Sequence, residues 1–295
     1  MGRDRLLLIL SFAVIYFVWG ATYLANYWAI DSLPVFAMGG TRFLTAGIIM
    51  YSYTLFRGDR TWPRRKYLIN SGIIGVVLLG IGTAAVVWAQ QYVPTSTTSL
   101  LIAFEPLLVM VMMWGVLGQR PDNKAFLGAF ISICGMGLLI TQPIAIGGSN
   151  AYVGLLAIGL SMLCWTSGML LRQRLDLGPN RVRGTALQML VAGVFLLLVS
   201  PLLDDYSKFT LSSITAKSAY SWLFLVFFGS IIAFSAFNYL LGKVSADKVA
   251  TNTYVNPVVA VFLGAAFNDE VITGQSMIAG AVLLTGVYFI NTAKA

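Results

Sequence analysis

The sequence predicts an all-α membrane protein with ten transmembrane helices, arranged as two inverted repeats of five helices each. Three observations lead to this fold class. Hydrophobic residues make up 58% of the chain and charged residues 10%, whereas about 25% of an ordinary soluble domain is charged. The apolar residues are gathered into long runs, separated by short polar connectors. Basic residues fall mainly on alternate connectors, and the two halves of the chain share a weak pattern of identities.

The predicted spans run along the whole chain, and each boundary is defined to about three residues. They cover residues 6–28, 35–56, 68–91, 96–117, 124–141, 151–171, 184–203, 219–241, 247–267 and 275–292. An apolar helix of about 20 residues crosses the ~30 Å hydrocarbon core of a bilayer. The first run is longer than the apolar core of a signal peptide, which predicts a retained helix. No connector could hold a soluble domain, so residues 1–295 are predicted to form one transmembrane domain.

The distribution of Lys and Arg predicts the orientation. With the N-terminus inside, 16 of the 19 basic residues fall on cytoplasmic segments, two (Lys208 and Lys217) fall outside, and Arg42 lies within the second span. The positive-inside rule therefore predicts that both termini are cytoplasmic. The net charge of +8 then reflects topology and attraction to anionic headgroups, and it does not indicate a nucleic-acid partner.

The two halves align with each other. RFLTAGII at 42–49 matches QMLVAGVF at 188–195 at an offset of 146, which also pairs Trp19 with Trp165. Five spans per half is an odd number, so the second copy must be inverted in the membrane. We therefore expect repeat one over about 6–141 and repeat two over about 151–292. Inverted repeats of this kind are a construction principle of secondary transporters.

Three stretches carry a family resemblance: YFVWGATYLANYWAI at 16–30, LPVFAMGGTRFLTAGIIM at 33–50, and SIIAFSAFNYLLGKVSADKVATNTYVNPVVAVFLG at 230–264. Over nearly the whole chain the sequence resembles the ten-helix bacterial drug/metabolite transporters of the EamA family. The resemblance implies an exporter of the bacterial inner membrane that acts on small metabolites, often amino acids or amphipathic toxic compounds, and is frequently driven by protons. It also implies a cavity between the halves, lined by the first four helices of each. Relatives more often have an uncharged residue where Glu105 stands.

Two charges lie inside the predicted spans. Glu105 is ~15 Å from the outer surface and Arg42 is ~10–12 Å from it, since a helix rises 1.5 Å per residue. Three interpretations follow. The two side chains could form a permanent ion pair, which costs desolvation and stabilises little. They could instead bind the two ends of a zwitterion, Arg42 the carboxylate and Glu105 the ammonium. Glu105 could also carry a proton, because burial favours the neutral carboxyl group; the last two roles are compatible.

Each half has a proline at the same place in its fourth span, Pro106 in FEP and Pro257 in VNP. Proline removes a backbone donor and interrupts a helix. Matching interruptions in two halves are a pointer to a binding site near the midplane. The alternative is a kink that only fits the helix into a curved bundle.

Further candidates for substrate binding are aromatic or amide-bearing residues within or at the ends of the spans. Near span ends, Trp and Tyr are also common as interfacial anchors, which is the alternative for this group. The candidates are Trp19, Tyr23, Trp88, Gln91, Trp165, Gln188 (the repeat counterpart of Arg42), Asn238, Tyr239, Asn252, Tyr254 and Asn256.

These observations favour a secondary active transporter that exports small metabolites such as amino acids by alternating access, with coupling to protons. An exporter of amphipathic organic cations is the alternative. A membrane-embedded enzyme is a remote one, since the chain has no His and no Asp deep in a span. We expect no metal and no cofactor. The expected partners are a small-molecule substrate, protons and the lipid bilayer, and the oligomeric state stays open.

Overall fold

The computed structural model describes residues 2–93, 95–139, 151–207, 209–267 and 274–293. Within these ranges the regular structure is helical throughout. The first half contains α1 (Arg3–Ala29), α2 (Val35–Phe56), α3 (Arg65–Ala89), α4 (Thr95–Ile102), α5 (Glu105–Leu117) and α6 (Asn123–Leu139). The second half contains α7 (Ala151–Arg174), α8 (Arg181–Leu203), α9 (Ala216–Leu241), α10 (Ala246–Ala250), α11 (Asn252–Phe267) and α12 (Gly274–Thr292). A short 3₁₀ turn, Leu211–Ser213, precedes α9.

The all-α prediction is therefore confirmed for the described residues. Five of their helices, α1, α3, α7, α8 and α9, are long and apolar enough to cross a membrane. The count of ten spans and the orientation of the termini stay predictions. The end of the fifth predicted span and the basic residues Lys208 and Lys294 lie outside the part of the chain that the structure describes.

The fourth predicted span of each half is divided into two shorter helices. In the first half the interruption lies at Ala103 and Phe104, and Pro106 is the second residue of α5. Proline is well tolerated there, because the N–H groups of the first helical turn have no intrahelical acceptor and the N–H that proline lacks is not needed.

In the second half the predicted position of the break is wrong. Pro257 lies inside α11, and the interruption comes six residues earlier, at Thr251. The side chain of Thr251 donates to the carbonyl of Lys248 (2.6 Å) and that of Thr253 donates to the carbonyl of Ala250 (2.8 Å). Such side-chain hydrogen bonds compete with the backbone hydrogen bonds of the helix, so the break lies before the proline in the sequence.

Both third helices contain a π-helical stretch at a matching position. In α3 it covers Gly75–Thr83 and in α9 it covers Leu225–Ile232. π-helical turns inside α-helices are rare and occur frequently at functional sites. The two stretches face the interior of the molecule, where each packs against helices of the other half.

Helices α2 and α8 pack against each other in antiparallel directions. Just after the end of α8, the Asp204 carboxylate accepts hydrogen bonds from the backbone amides of Phe36 (3.0 Å) and Ala37 (2.9 Å), at the start of α2. At the other end, Arg183 in the first turn of α8 forms an ion pair with Asp59, which follows α2. A carboxylate at a helix N-terminus is favourable, because the first amides have no intrahelical acceptor.

Helices α6 and α12 form a second antiparallel pair. The Ser132 hydroxyl donates to the carbonyl of Leu283 (3.3 Å), and Gln275 donates to the carbonyl of Leu138 (3.1 Å). Gly128 and Gly286 meet where the two backbones come closest. Helix α1 packs against α9 and α11, and α7 packs in turn against α3 and α5. The first helix of each half therefore contacts the third and fourth helical segments of the other half.

Candidate functional site

A cavity lies between the two halves, with about 800 Å³ of empty space including its opening. Its walls come from α1, α2, α3, α4 and α5 of the first half and from α7, α9 and α11 of the second. The residues from α1 and α3 belong to the C-terminal halves of those helices. The cavity therefore occupies the end of the molecule where the α1–α2 and α3–α4 connections lie, which we call the cavity end. We call the opposite end, with the α2–α3 and α7–α8 connections, the closed end.

Glu105 lines this cavity as the first residue of α5, directly after the helix interruption. The residue is 3% exposed, and its Oε1 has no hydrogen-bond partner within the described residues. Tyr23 of α1 is close enough to interact electrostatically with this carboxyl group, and Tyr23 also hydrogen-bonds Asn256 through their side chains. The interruption thus delivers a buried acid to the wall of the cavity beside a polar cluster.

Arg42 lines the same cavity and is 5% exposed. Its Nε donates to the hydroxyl of Ser230 in α9 (2.8 Å), and its Nη1 donates to Oδ1 of Asn26 in α1 (3.2 Å). The guanidinium also lies over the ring of Phe43, 4.9 Å from its centroid. These contacts fix the side chain against neutral groups and leave its charge without a carboxylate partner in the described part of the chain.

The structure does not bring Arg42 and Glu105 into a permanent ion pair. Two ion pairs among the described residues, Lys66–Asp176 and Arg183–Asp59, lie near the closed end and involve neither Arg42 nor Glu105. The ion-pair interpretation of the sequence is therefore wrong for this conformation. Two buried groups of opposite charge face one cavity separately, and burying a charge without a partner is costly.

Three of the predicted aromatic residues line the cavity: Trp19, Tyr23 and Trp165. The ring of Trp19 meets that of Trp165 edge-on, with centroids 5.6 Å apart, and its Nε1 donates to the carbonyl of Gly229 (3.2 Å). Trp88 is not in the cavity wall; it packs on Tyr92, with ring centroids 4.8 Å apart. These three predicted residues come from α1 and α7, the first helix of each half, and Phe43 of α2 and Phe234 of α9 also line the cavity.

Of the predicted amide-bearing residues, Asn252 and Asn256 line the cavity from α11 and are 4% and 2% exposed. Their spacing of four residues places them on one face of that helix. Tyr254 lies between them on a different face and is fully buried in the packing of α11. The prediction of Tyr254 as a cavity residue is therefore wrong, because two positions along a helix turn the side chain by about 200°.

The remaining predictions also fall outside the cavity wall. Gln91 is exposed in the turn after α3, and its neighbour Gln90 lines the cavity instead. Gln188 and Asn238 are buried at the closed end, where Asn238 donates to Gln188 (3.2 Å). Tyr239 lies beside Arg181, with the guanidinium 6.0 Å from its ring centroid. Their position along a span predicts their depth in the membrane, but it does not determine which face of the helix they occupy.

Sequence reasoning missed several small polar residues of the cavity wall. Asn26 and Ser161 line the cavity but were not predicted. Asn26 accepts a hydrogen bond from Arg42, and Ser161 donates to the carbonyl of Gly82 (2.6 Å) in the π-helical stretch of α3. Ser230, outside the cavity wall, also holds Arg42 and was not predicted either. An Asn within an apolar span is a usable signal, because polar groups in membranes face the protein interior. A single Ser gives no such signal, since its hydroxyl readily bonds its own helix.

A helical bundle of two halves, with a cavity between them that holds buried groups of opposite charge, has the architecture of a membrane transporter. The chain belongs to the EamA-like transporter family, whose model matches residues 6–141 and again residues 152–292. The resemblance seen in the sequence is thereby confirmed.

Similar proteins agree with this assignment. The chain is 32% identical over 294 residues to YedA of Escherichia coli K12, an uncharacterized inner membrane transporter, covering 99% of this chain and 93% of YedA. It is 26% identical over 299 residues to the uncharacterized transporter YvbV of Bacillus subtilis, covering 99% and 93% of the two chains. A protein of known crystal structure matches with a TM-score of 0.76 and 18% identity, over 98% of this chain and 96% of that one. The chain is therefore a multi-pass protein of the inner membrane, and its family indicates a transporter rather than an enzyme.

Proposed function

We propose that the protein is a secondary active transporter that exports small zwitterionic metabolites, such as amino acids, by alternating access coupled to protons. One observation carries the substrate class. Arg42 and Glu105 line the same cavity without pairing with each other, so each charge is available to the opposite charge of a ligand. A guanidinium suits a carboxylate, and a carboxylate suits an ammonium group.

The surroundings of Glu105 support an ammonium site. Three buried acceptor atoms of cavity residues have no hydrogen-bond partner within the described residues: Gln90 Oε1, Glu105 Oε1 and Asn256 Oδ1. An ammonium group offers three donors and no acceptor, so it can satisfy such a set. A ligand without donors would leave these atoms unsatisfied, at a cost of about 1–3 kcal/mol each.

The arrangement of the two halves supports alternating access. The counterpart helices α2 and α8 run antiparallel, and so do α6 and α12. Antiparallel counterparts are what two inverted repeats of five spans, at about 6–141 and 151–292, would produce. With both termini cytoplasmic, the cavity end faces outward and the closed end faces the cytoplasm. We therefore assign this conformation as outward-open.

Glu105 is the proposed proton carrier. When it is protonated it has no charge to offer an ammonium group, and when it releases the proton it can bind one. Because a proton and the substrate amine compete for one carboxyl group, proton entry and substrate export are coupled without a second binding site. Each turn of the cycle would then admit a proton from outside as the substrate leaves.

The substrate class is tested by thermal unfolding of the detergent-purified protein with a panel of amino acids, amphipathic cations and organic acids. A ligand at about 100 times its dissociation constant stabilises the folded state by ~2.7 kcal/mol. We expect stabilisation by zwitterions, and its loss in both Arg42→Gln and Glu105→Gln. Gln91→Ala is the matched control, since Gln91 is a polar residue outside the cavity wall. Stabilisation by cations alone, unaffected by Arg42→Gln, would replace the proposal with an exporter of amphipathic amines.

Proton coupling is tested in proteoliposomes with the amino acid that stabilises the protein best. We expect Glu105→Gln to fold and insert normally and to lose uptake driven by a pH gradient, because Gln cannot release a proton. Full gradient-driven transport by Glu105→Gln would refute the role of Glu105 as the proton carrier.

A further inference from the structure

A second polar cluster, in which Gln188 and Asn238 are buried and Arg172 is partly buried, lies near the closed end, outside the cavity. Arg172 of α7 donates through Nε to Oδ1 of Asn238 (2.8 Å) and through Nη2 to the Asn238 carbonyl (3.4 Å). The Asn238 amide in turn donates to Oε1 of Gln188 in α8 (3.2 Å). Gln188 is fully buried, and its Nε2 donor has no partner within the described residues. The cluster thus holds a cation and an orphaned donor, and within the described ranges neither has a carboxylate partner.

This cluster repeats the positions of the Arg42 cluster in the cavity. Arg172 and Gln188 stand 146 residues after Asn26 and Arg42, the offset that also relates Trp19 to Trp165. Each half therefore places one guanidinium and one amide at the same two positions of its first and second helices. The two residue types are exchanged between the halves.

The contacts with the opposite half repeat as well. In α2, the Arg42 side chain packs against Gly229, in the π-helical stretch of α9, where an added Cβ would lie 3.0 Å from Nη2. In α8, the backbone of Gln188 packs against Gly75, in the π-helical stretch of α3, with no room for a Cβ. Because α2 and α8 are antiparallel, the two clusters lie toward opposite ends of the molecule. One faces the cavity, and the other lies outside it.

We propose that Arg172, Gln188 and Asn238 form the carboxylate-binding subsite of the opposite conformation, in which the closed end is open. This inference rests on the proposed function. In that conformation Arg172 and the free Gln188 amide would donate to the substrate carboxylate, as Arg42 would at the cavity end. The substrate would thus meet a guanidinium on both sides of the membrane, supplied by α2 on one side and by α7 on the other.

The test compares the accessibility of the two clusters to N-ethylmaleimide in native membranes. The background carries Cys134→Ala and Cys164→Ala, which removes the native thiols. Gln188→Cys reports on the closed end and Thr83→Cys on the cavity wall. Ser71→Cys is a near-isosteric second reporter of the closed end: Ser71 is fully buried and lies one turn before Gly75. It keeps the test valid if Gln188→Cys misfolds.

Each reporter is measured with and without the ion pair at the closed end, removed by Asp59→Asn with Arg183→Gln. Asp204→Asn is the matched control, since Asp204 joins the same two helices at the cavity end. Without the Asp59–Arg183 pair we expect both closed-end reporters to react about fivefold faster, the upper range for one such pair. The Thr83→Cys reporter should not react faster, and Asp204→Asn should not accelerate labelling at the closed end.

The outcomes separate this inference from the proposed function. If Thr83→Cys slows while both closed-end reporters stay protected, the halves alternate but the Arg172 cluster is structural, and the inference is overturned. If no reporter changes, it is overturned too, because a site used in the other conformation must be exposed more when that end is released. If Thr83→Cys is unreactive in every background, the cavity is inaccessible and the proposed function itself fails.

Discussion

Substitution of Gly128 by Ala tests the close packing of α6 against α12. A Cβ on Gly128 would lie 2.6 Å from the carbonyl oxygen of Gly286 and 2.9 Å from the backbone N of Ile290. Both are backbone atoms of α12, so they cannot rotate away, and the helix itself must shift. Overpacking of this kind costs about 1–3 kcal/mol, and we take the upper end because two backbone atoms are involved.

Alanine also has a higher helix propensity than glycine, by about 1 kcal/mol, which offsets part of the cost. The net destabilisation is then about 2 kcal/mol. For a chain of this length a change of 1 kcal/mol moves the unfolding temperature by roughly 2 °C, so Gly128→Ala should lower it by about 4 °C. The measurement is thermal unfolding in detergent, followed by tryptophan fluorescence.

Gly137→Ala is the matched control on the same helix. A Cβ at Gly137 would meet nothing within 4 Å, so the gain in helix propensity should raise the unfolding temperature by about 2 °C. If Gly128→Ala were as stable as Gly137→Ala, the reasoning about backbone contact between α6 and α12 would be refuted.

Three further predictions concern the connections at the closed end. The side chain of Asn180 hydrogen-bonds Asp59, and Arg183 pairs with it, so the pKa of Asp59 lies below its ordinary value. A carboxyl group whose pKa is lowered by folding contributes its full stabilisation above its ordinary pKa of about 4. That stabilisation is lost as the pH falls through the lowered pKa of the folded state. The unfolding temperature of Asp59→Asn should therefore converge with that of the wild type below pH 4. Asn180→Ala removes the N-cap of α8, whose side chain accepts from the Arg183 amide (3.0 Å), and should destabilise the fold by about 1 kcal/mol in the same assay. Gly118 ends α5 with φ +67°, so Gly118→Ala should destabilise the fold by about 1 kcal/mol even though its Cβ would meet no other atom. An unfolding temperature equal to that of the wild type would contradict the left-handed conformation at Gly118.

Much of the fold could be predicted from local properties of the chain. The apolar runs coincide with the helices because burial in a bilayer requires both apolar side chains and internally bonded backbone. The division of the fourth span was visible at Pro106, where the ring itself fixes the start of α5. In the second half the predicted position of the break was wrong by six residues, because the hydroxyls of Thr251 and Thr253 bond backbone carbonyls there and interrupt the helix.

The cavity was predictable in depth but not in direction. Trp19, Tyr23, Arg42, Glu105 and Asn256 line it as expected, since charges and amides within a span must turn toward the protein interior. The sequence does not indicate which of two neighbours at the same depth, such as Gln90 and Gln91, lines the cavity. The rotation of α3 about its axis decides that choice.

The amino-acid sequence was sufficient to predict a membrane protein, the approximate extent of its helices, and an acid and a base within predicted spans. Each of these follows from the chemistry of consecutive residues. The folded structure was needed to see that Arg42 hydrogen-bonds Ser230, 188 residues away, instead of pairing with Glu105. The physical reason is that helix rotation is set by packing against distant segments, so the partner of a buried charge is known once the faces of the helices have met.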